Sequence, residues 1–335
     1  MRITAISGGI GGARFLRGLL HHLDRSDGEE THELTVIGNT ADDMWMFGLR
    51  VCPDLDTVMY TLGGGIDDDR GWGRAHETWH AKEELAAYDV QPNWFGLGDR
   101  DLATHLVRTQ MLAAGYPLSA VTEALSQRWP VPHQASVRLL PMSDDRAETH
   151  VVIDDEAAAG GRRAVHFQEY WVRLHAEVPA REIVVVGLQD ATAGPGVVEA
   201  VERADVVLLP PSNPVVSVGT VLGVAGVGAA VRETAAPVVG VSPIVSGRPV
   251  RGMADAVLAA IGVETTAAAV ASHYGSRRSG GFLDGWLVHT DDGHAVSAVQ
   301  DAGIACVAVP LLMTDVDATA AMAASALDLA SRVRR

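Results

Sequence analysis

The spacing of apolar residues changes period twice within the first forty positions. Ile3-Thr4-Ala5-Ile6 is a short apolar run, Ala13 to Leu23 places apolar residues every three to four positions, and Glu33 to Gly38 is a second short run. This order predicts a strand, a loop at Ser7-Gly8-Gly9-Ile10-Gly11-Gly12, a helix and a second strand, the βαβ opening of a doubly wound sheet. The alternation returns after Glu182. Strands are expected at Ile183 to Gly187, Val206 to Leu209, Val238 to Val241, Trp286 to His289 and Cys306 to Val309. Helices are expected at Val197 to Ala204, along the apolar stretch from Pro214 to Val231, at Met253 to Ile261, at Thr265 to His273 and from Ala318 onward. Both ends of the chain thus predict one mostly parallel, Rossmann-like α/β sheet in a single domain spanning residues 1–335.

Two segments depart from that rhythm. Residues 66–130 form a helical insertion by pattern, with helices at His76 to Tyr88, Leu102 to Ala114 and Leu118 to Trp129. Residues 136–174 read as a small β excursion, with runs at Val137 to Leu140, Thr149 to Ile153 and Val165 to Trp171 around Asp-Asp and Gly-Gly turns.

With 335 residues and 47% hydrophobic content, the chain can bury a large core. A formal charge of -16 repels nucleic acid and anionic lipid, so the expected partners are small molecules, not nucleic acid or membrane. The glycines, Ser217 and Thr220 within Pro214 to Val231 suit a buried helix better than a membrane span. Cys52 and Cys306 lie too far apart for CxxC chemistry, and the N-terminus lacks a signal-peptide pattern, so a reducing cytoplasm is expected. Lys82 is the only lysine. A P-loop lysine is therefore impossible, and any phosphate must meet arginine, backbone N–H or metal.

Glycines between a strand and a helix let a diphosphate approach the helix N-terminus, which makes Gly8, Gly9, Gly11 and Gly12 candidate anion ligands. Arg14 stands where the last glycine of a dinucleotide fingerprint belongs, and the second strand ends in Asn39 instead of an acid, which argues against nicotinamide chemistry. Asp42, Asp43, Asp54 and Asp56 cluster just beyond that strand, where ligands of such sheets bind. Carboxylates beside a phosphate loop suit Mg²⁺; for Asp54, helix capping fits equally well. Ser212-Asn213 before Pro214, and Ser242 before Pro243, fit either a ligand contact at a strand end or ordinary capping. Arg100, in Gly98-Asp99-Arg100-Asp101, is a candidate substrate contact. Trp45, Trp72, Trp79, Trp94 and Trp129 are five of the seven tryptophans, fit either to stack on a flat ring or to fill a small helical subdomain.

These motifs, with Leu140-Pro141-Met142-Ser143-Asp144-Asp145, His166-Phe167-Gln168 and Val241-Ser242-Pro243-Ile244, together resemble the 2-phospho-L-lactate transferase family of coenzyme F420 biosynthesis. Tyr60-Thr61-Leu62-Gly63-Gly64-Gly65 and the lysine-poor composition resemble its actinobacterial phosphoenolpyruvate transferase branch. The resemblance implies transfer of a phosphoenolpyruvyl group, or alternatively a 2-phospholactyl group, from a guanosine diphosphate conjugate to the deazaflavin Fo, with GMP released and Mg²⁺ required. It further implies that Asp56, Arg100 and Trp45 serve Fo. The glycine loop, Arg14, Asn39, Ser212, Asn213 and Ser242 would serve the donor. Asp43, Asp54 and Asp56 would serve the metal, Asp43 and Asp56 the catalysis, and the chain would act as a homodimer. A competing reading is a nucleotide-sugar-binding regulator of the gluconeogenesis-factor type, which shares the fold and binds without turnover; the Gly98–Asp101 motif and the tryptophan-rich insertion stand against it.

Overall fold

The computed structural model describes residues 1–25, 31–158 and 160–334. Its opening follows the predicted order: β1 (Arg2–Ser7), α1 (Gly9–Asp24) and β2 (Glu33–Gly38). A hairpin of β3 (Met44–Met46) and β4 (Leu49–Val51), which the apolar pattern does not announce, leads into α2 (Pro53–Leu62). The insertion contributes α3 (His80–Ala87), α4 (Asp99–Ala113) and α5 (Leu118–Ser126) before β5 (Ser136–Pro141). Then come β6 (Glu148–Asp154), β7 (Arg162–His166), β8 (Ala180–Val186), α6 (Val197–Glu202) and β9 (Val206–Leu209). After a π-helical turn at Pro214–Gly219 follow α7 (Thr220–Gly223), α8 (Val227–Glu233) and β10 (Val238–Val241). The chain closes with β11 (Ile244–Val245), β12 (Arg248–Pro249), α9 (Ala254–Ala260), α10 (Ala267–Tyr274), β13 (Gly285–His289), α11 (Val296–Asp301), β14 (Ala305–Val309) and α12 (Val316–Val333).

The central sheet has seven strands in the order β14-β13-β10-β9-β1-β2-β5, every neighbouring pair parallel. Counted from the β5 edge, chain order runs outward from β1 on one side and resumes with β9 on the other. The strand order therefore switches between β1 and β9, and in sheets of this kind ligands bind beyond the C-terminal ends at such a switch. Strands β9, β10 and β13 are buried along their whole length, as expected when helices cover both faces. On one face Phe15, Leu16, Leu19 and Leu20 of α1 pack with Met322, Ala323 and Ala326 of α12. On the other, Val227 and Val231 of α8 share a core with Val270, Ala271 and Trp286.

Two strands exchange sheets relative to the sequence reading. Val137 to Leu140, expected in the β excursion, lies in β5, paired in parallel with β2 through Val36↔Leu139. Ile183 to Gly187, expected in the main sheet, lies in β8, antiparallel to β6 in a separate three-stranded sheet of order β7-β6-β8. The reason is one-sided cover: β8 leaves Val186 at 55% exposure, whereas a central strand must bury both faces. An apolar run announces a strand but not its neighbours.

Three helices and one strand also shorten or break. The apolar helix expected from Pro214 to Val231 divides at Val224 and Gly226, the latter with φ +88. The helix expected from His76 begins at His80 because His76 sits in the left-handed region, φ 57. The third insertion helix stops at Ser126, three residues short of Trp129. The run Val165 to Trp171 ends as a strand at His166 and turns into a π-helical segment, Glu169–Arg173.

Gly18 allows the close crossing of α1 and α12: a Cβ there would lie 2.6 Å from Thr319 Cβ and 2.7 Å from the Thr319 carbonyl carbon. Alanine normally stabilises a helix interior by about 1 kcal/mol over glycine. Here the sign is expected to reverse: Gly18→Ala should cost about 1–3 kcal/mol by overpacking, and Thr319→Ala in the same chain should return part of the loss. Urea unfolding of the single and double variants measures both.

Candidate functional site

The switch point joins the glycine loop to β9. Ser212 Oγ accepts from Gly8 N–H at 3.1 Å and donates to the Gly8 carbonyl at 2.8 Å, so residues 204 apart in sequence fix one turn. Gly9 needs its glycine for conformation, with φ +62, and a Cβ there would have only Asp54 Oδ1 nearby, at 3.5 Å. Gly12 needs its glycine for space, since a Cβ would overlap the hydroxyls of Ser7 and Ser212. A Cβ at Gly8 or Gly11 would likewise strike Ser217 or the Pro211 carbonyl. Three of the four glycines thus serve the fit of the protein to itself. What they leave open is the helix end: no side chain caps α1, and its first turn carries no acid. The first-turn N–H groups of Ile10 and Gly11 point their positive dipole outward.

Against this loop lies a buried carboxylate cluster. The chain from Asn39 to Met44 is buried throughout, and so is α2 from Asp54 to Leu62. Asn39 joins the two segments, donating from Nδ2 to Asp54 Oδ2 at 3.0 Å while its Oδ1 accepts from Ala41 N–H at 3.1 Å. Helix α2 is capped at Cys52, without a side-chain bond, so Asp54 is not its cap. Asp54 instead turns toward the Gly9 N–H. Burial raises the Asp54 carboxyl, partly offset by the hydrogen bonds from Asn39 and Gly9. Asp42 is raised well above the usual carboxylate range, first by burial and then by the Asp54 charge.

The other two carboxylates meet arginines. Asp43 Oδ2 lies 3.2 Å from Arg50 Nη2, and His166 Nε2 is 3.3 Å from the Asp43 carbonyl. Burial pushes Asp43 up to about 7 despite the Arg50 charge. Asp56 Oδ1 accepts from Arg108, and its Oδ2 lies 3.7 Å from His105 Nδ1. Burial raises Asp56 as well, against the pull of Arg108. Arg108 also donates to His105 Nδ1 at 3.0 Å, which places the imidazole proton on Nε2, 3.3 Å from Asp101 Oδ2. Tyr60 donates to Asp101 at 2.7 Å. Although burial opposes it, Asp101 is held low by His105 and Tyr60.

Arg50, Tyr60, Asp101, Thr104, His105 and Arg108 are the site residues that sequence reasoning missed. Their signal was present in α4, where Asp101, Thr104, His105 and Arg108 recur at helical spacing and form its buried face. On the same helix Leu106 and Val107 are 55% and 45% exposed, which inverts the usual apolar stripe.

The remaining expected residues lie outside this network. Arg100 begins α4 beside Asp101, but its side chain is exposed and reaches only the Ala75 carbonyl, at 3.5 Å. Trp45 is 49% exposed on the β3–β4 hairpin. Asn213 caps the π-helical turn by accepting from Val215 and Val216 N–H, and Ser242 closes its own turn with Ile244, so capping explains both. Arg14 donates to the Asp68 carbonyl at 3.0 Å. Trp129 packs on Tyr60 at a centroid distance of 5.0 Å and Trp79 edges Trp72 at 6.4 Å, so aromatic filling accounts for much of the insertion's tryptophan.

Asp42, Asp43, Asp54, Asp56 and Asp101 face only Arg50 and Arg108 as buried guanidiniums, and Asp42 Oδ1, Asp43 Oδ1 and Asp56 Oδ2 have no hydrogen-bond partner. Such a surplus fits a cation. No three acidic, imidazole or thiol side chains among the described residues converge on one point, so Asp43, Asp54 and Asp56, the residues expected to place the metal, do not form a ready-made cage. Two of that trio are taken up by Arg50 and Arg108, while Asp42 and Asp54 have no guanidinium beside them. Mg²⁺ suits so incomplete a set, because it commonly takes one or two carboxylates and completes its shell with water and substrate phosphate.

The Arg108 pair tests the electrostatics directly. Arg108→Met is expected to cost about 3–5 kcal/mol by leaving Asp56 buried without its partner. Adding Asp56→Asn should recover most of that, as read by denaturant unfolding of the single and double variants.

A family model for 2-phospho-L-lactate transferase CofD matches residues 3–322. The phosphoenolpyruvate transferase of Streptomyces coelicolor is 63% identical over 334 residues, covering 100% of this chain and 99% of the relative. That of Mycolicibacterium smegmatis is 61% identical over 333 residues, covering 98% and 99%. Among solved structures, a Bacillus halodurans protein of the UPF0052 family is similar with a TM-score of 0.58 at 16% identity, covering 97% of this chain and 99% of that one, a likeness of fold alone. The family model and the full-length relatives agree with the geometry, and the chain belongs to the 2-phospho-L-lactate transferase CofD family of transferases.

Proposed function

We propose that this protein transfers the phosphoenolpyruvyl group of enolpyruvoyl-2-diphospho-5'-guanosine to the ribityl hydroxyl of Fo, giving dehydro coenzyme F420-0 and GMP. The observation that carries the reading is the junction at the switch point: an uncapped helix N-terminus directly against a buried, cation-poor cluster of carboxylates. The printed names of the relatives favour the enolpyruvyl donor over the lactyl one.

In this reading the N–H groups of α1 hold the donor diphosphate, with Ser212 and Asn39 fixing the loop and Arg14 beside it. Asp42 and Asp54, next to the loop, would hold Mg²⁺, with Asp43 as a further ligand; when bound, the ion neutralises the diphosphate and the departing GMP. The Fo hydroxyl oxygen attacks the phosphorus that carries the acid, a new O–P bond forms, and the P–O bond to GMP breaks. Asp56 takes the hydroxyl proton or orients it, while Arg108 and His105 hold Asp56 in place. Arg100 and Trp45, at the rim, would receive the deazaflavin ring. Positioning supplies most of the rate, so no strong nucleophile is needed.

Purified protein mixed with Fo, Mg²⁺ and each guanosine diphosphate conjugate should release one GMP per coupled Fo, faster with the enolpyruvyl donor. Absence of GMP with both donors sinks the proposal. Asp56→Asn should lower kcat by about 100-fold or more, in line with loss of general-base catalysis, while the protein stays folded.

The raised carboxyls also predict a pH dependence. Asp43 binds its proton more tightly folded than unfolded, so its contribution to stability is full below the ordinary carboxylate range and is lost as pH rises through about 7. With metal chelated, Tm should therefore rise by roughly 2–4 °C between pH 8 and pH 6, and Asp43→Asn should flatten that rise. Scanning calorimetry of both proteins checks the sign; a steeper slope in the variant would refute it.

A further inference from the structure

Arg251 is not among the positions that the sequence motifs bring forward, yet it sits beside the glycine loop. It lies between β12 and α9, beyond the C-terminal edge of the sheet. A Cβ on Gly71 would come within 2.8 Å of Arg251 Nη1 and 3.0 Å of Ile10 Cγ2, so a single glycine of the insertion separates this guanidinium from the loop. Arg251 donates to the Arg70 carbonyl, and Arg14 donates to the Asp68 carbonyl at 3.0 Å. One strap of chain, Asp67 to Gly71, therefore holds two arginines that arrive from opposite halves of the sequence.

Neither arginine has spent its charge. The strap's own acids are taken by others: Asp68 pairs with Arg17 at 2.6 Å and Asp67 with Arg70 at 3.0 Å. Among the described residues, no carboxylate lies within ion-pair distance of Arg14 or Arg251, and both bond only to backbone carbonyls. Burial, and then the nearby Arg14 charge, lower the Arg251 guanidinium. Arg14 stands in the second turn of α1, whose first turn begins at Gly9. Like charges held side by side without an acid, at the mouth of an anion-binding helix end, call for an anion from outside.

We propose that Arg14 and Arg251 form a second anion subsite at the mouth of the glycine loop, which holds the carboxylate of the three-carbon acid being transferred. The inference rests on the donor assigned above. The diphosphate already has the N–H groups of α1 and a cation, whereas the planar guanidinium fork matches a carboxylate in two bonds. The subsite thereby selects donors that end in a carboxylate.

The test compares Arg251→Ala, Arg251→Lys and Arg14→Ala with the native protein. Arg251→Ala should raise the donor KM by about 10- to 100-fold, the loss of one or two hydrogen bonds to a charged group. The same variant should shift kcat, the Fo KM and the Kd of GDP by no more than about 2-fold. Arg251→Lys should recover only part, because a lysine lacks the fork. An unchanged donor KM overturns the subsite, as does a loss of GDP affinity equal to the loss of donor affinity, which would put the pair on the nucleotide's phosphates. If the native protein transfers from neither donor, the functional reading fails on its own, and calorimetric titration with phosphoenolpyruvate alone still decides the subsite. Binding by the native protein that is lost in Arg14→Ala and Arg251→Ala supports it; no binding, or binding kept in both variants, overturns it.

Discussion

Burying an ionised carboxylate costs several kcal/mol unless partners replace its water, and this protein buries five of them in one corner. Two guanidiniums cannot balance that charge. The arrangement around it follows from this constraint: Arg50 and Arg108 each take one acid, Asn39 ties Asp54 to the end of β2, and Tyr60 and His105 hold Asp101. What stays unbalanced is Asp42 and Asp54 near the glycine loop, the place where the proposed function sets a divalent cation and the donor diphosphate. A site that is electrostatically frustrated when empty is preorganised for a charged pair of ligands.

The insertion closes this corner. Helix α4 supplies Arg108, His105 and Asp101 from its buried face, and the hairpin of β3 and β4 supplies Arg50, whose backbone N–H donates to Thr109 of that helix at 2.9 Å. The strap at Asp67 to Gly71 crosses back to α1 and to Arg251. In the proposed function the donor side is the sheet edge with its glycine loop and the acceptor side is the insertion, with Asp56 in α2 between them.

Much of the fold was legible along the chain. The period-switching runs located β1, α1, β2, β9, β10, β13, β14 and α12 within a few residues, because strands buried on both faces have to be continuously apolar. The carboxylates and the glycine loop were legible as well, since polar residues at strand C-termini stand out against that background. Arg108 and His105 were not, because both meet Asp56 from a distant stretch of the chain, and Arg50, although close in sequence to Asp43, is held against α4 through Thr109. The pattern located helix α4 but not which side it buries, because its buried face is polar and its exposed face carries Leu106 and Val107.

By itself the sequence determined the class of fold, the absence of a P-loop lysine, and the position of a glycine loop followed by acids. Those properties are local, set by periodicity, composition and the backbone freedom of glycine. Only the tertiary structure decided which strand joins which sheet, moving Val137 to Leu140 into the central sheet and Ile183 to Gly187 out of it. It alone decided which acid has a cation and which glycines serve packing, and it set Arg251 beside Arg14. Each of these is a contact between distant segments, and the energy of a charge or a close approach depends on what surrounds it in space.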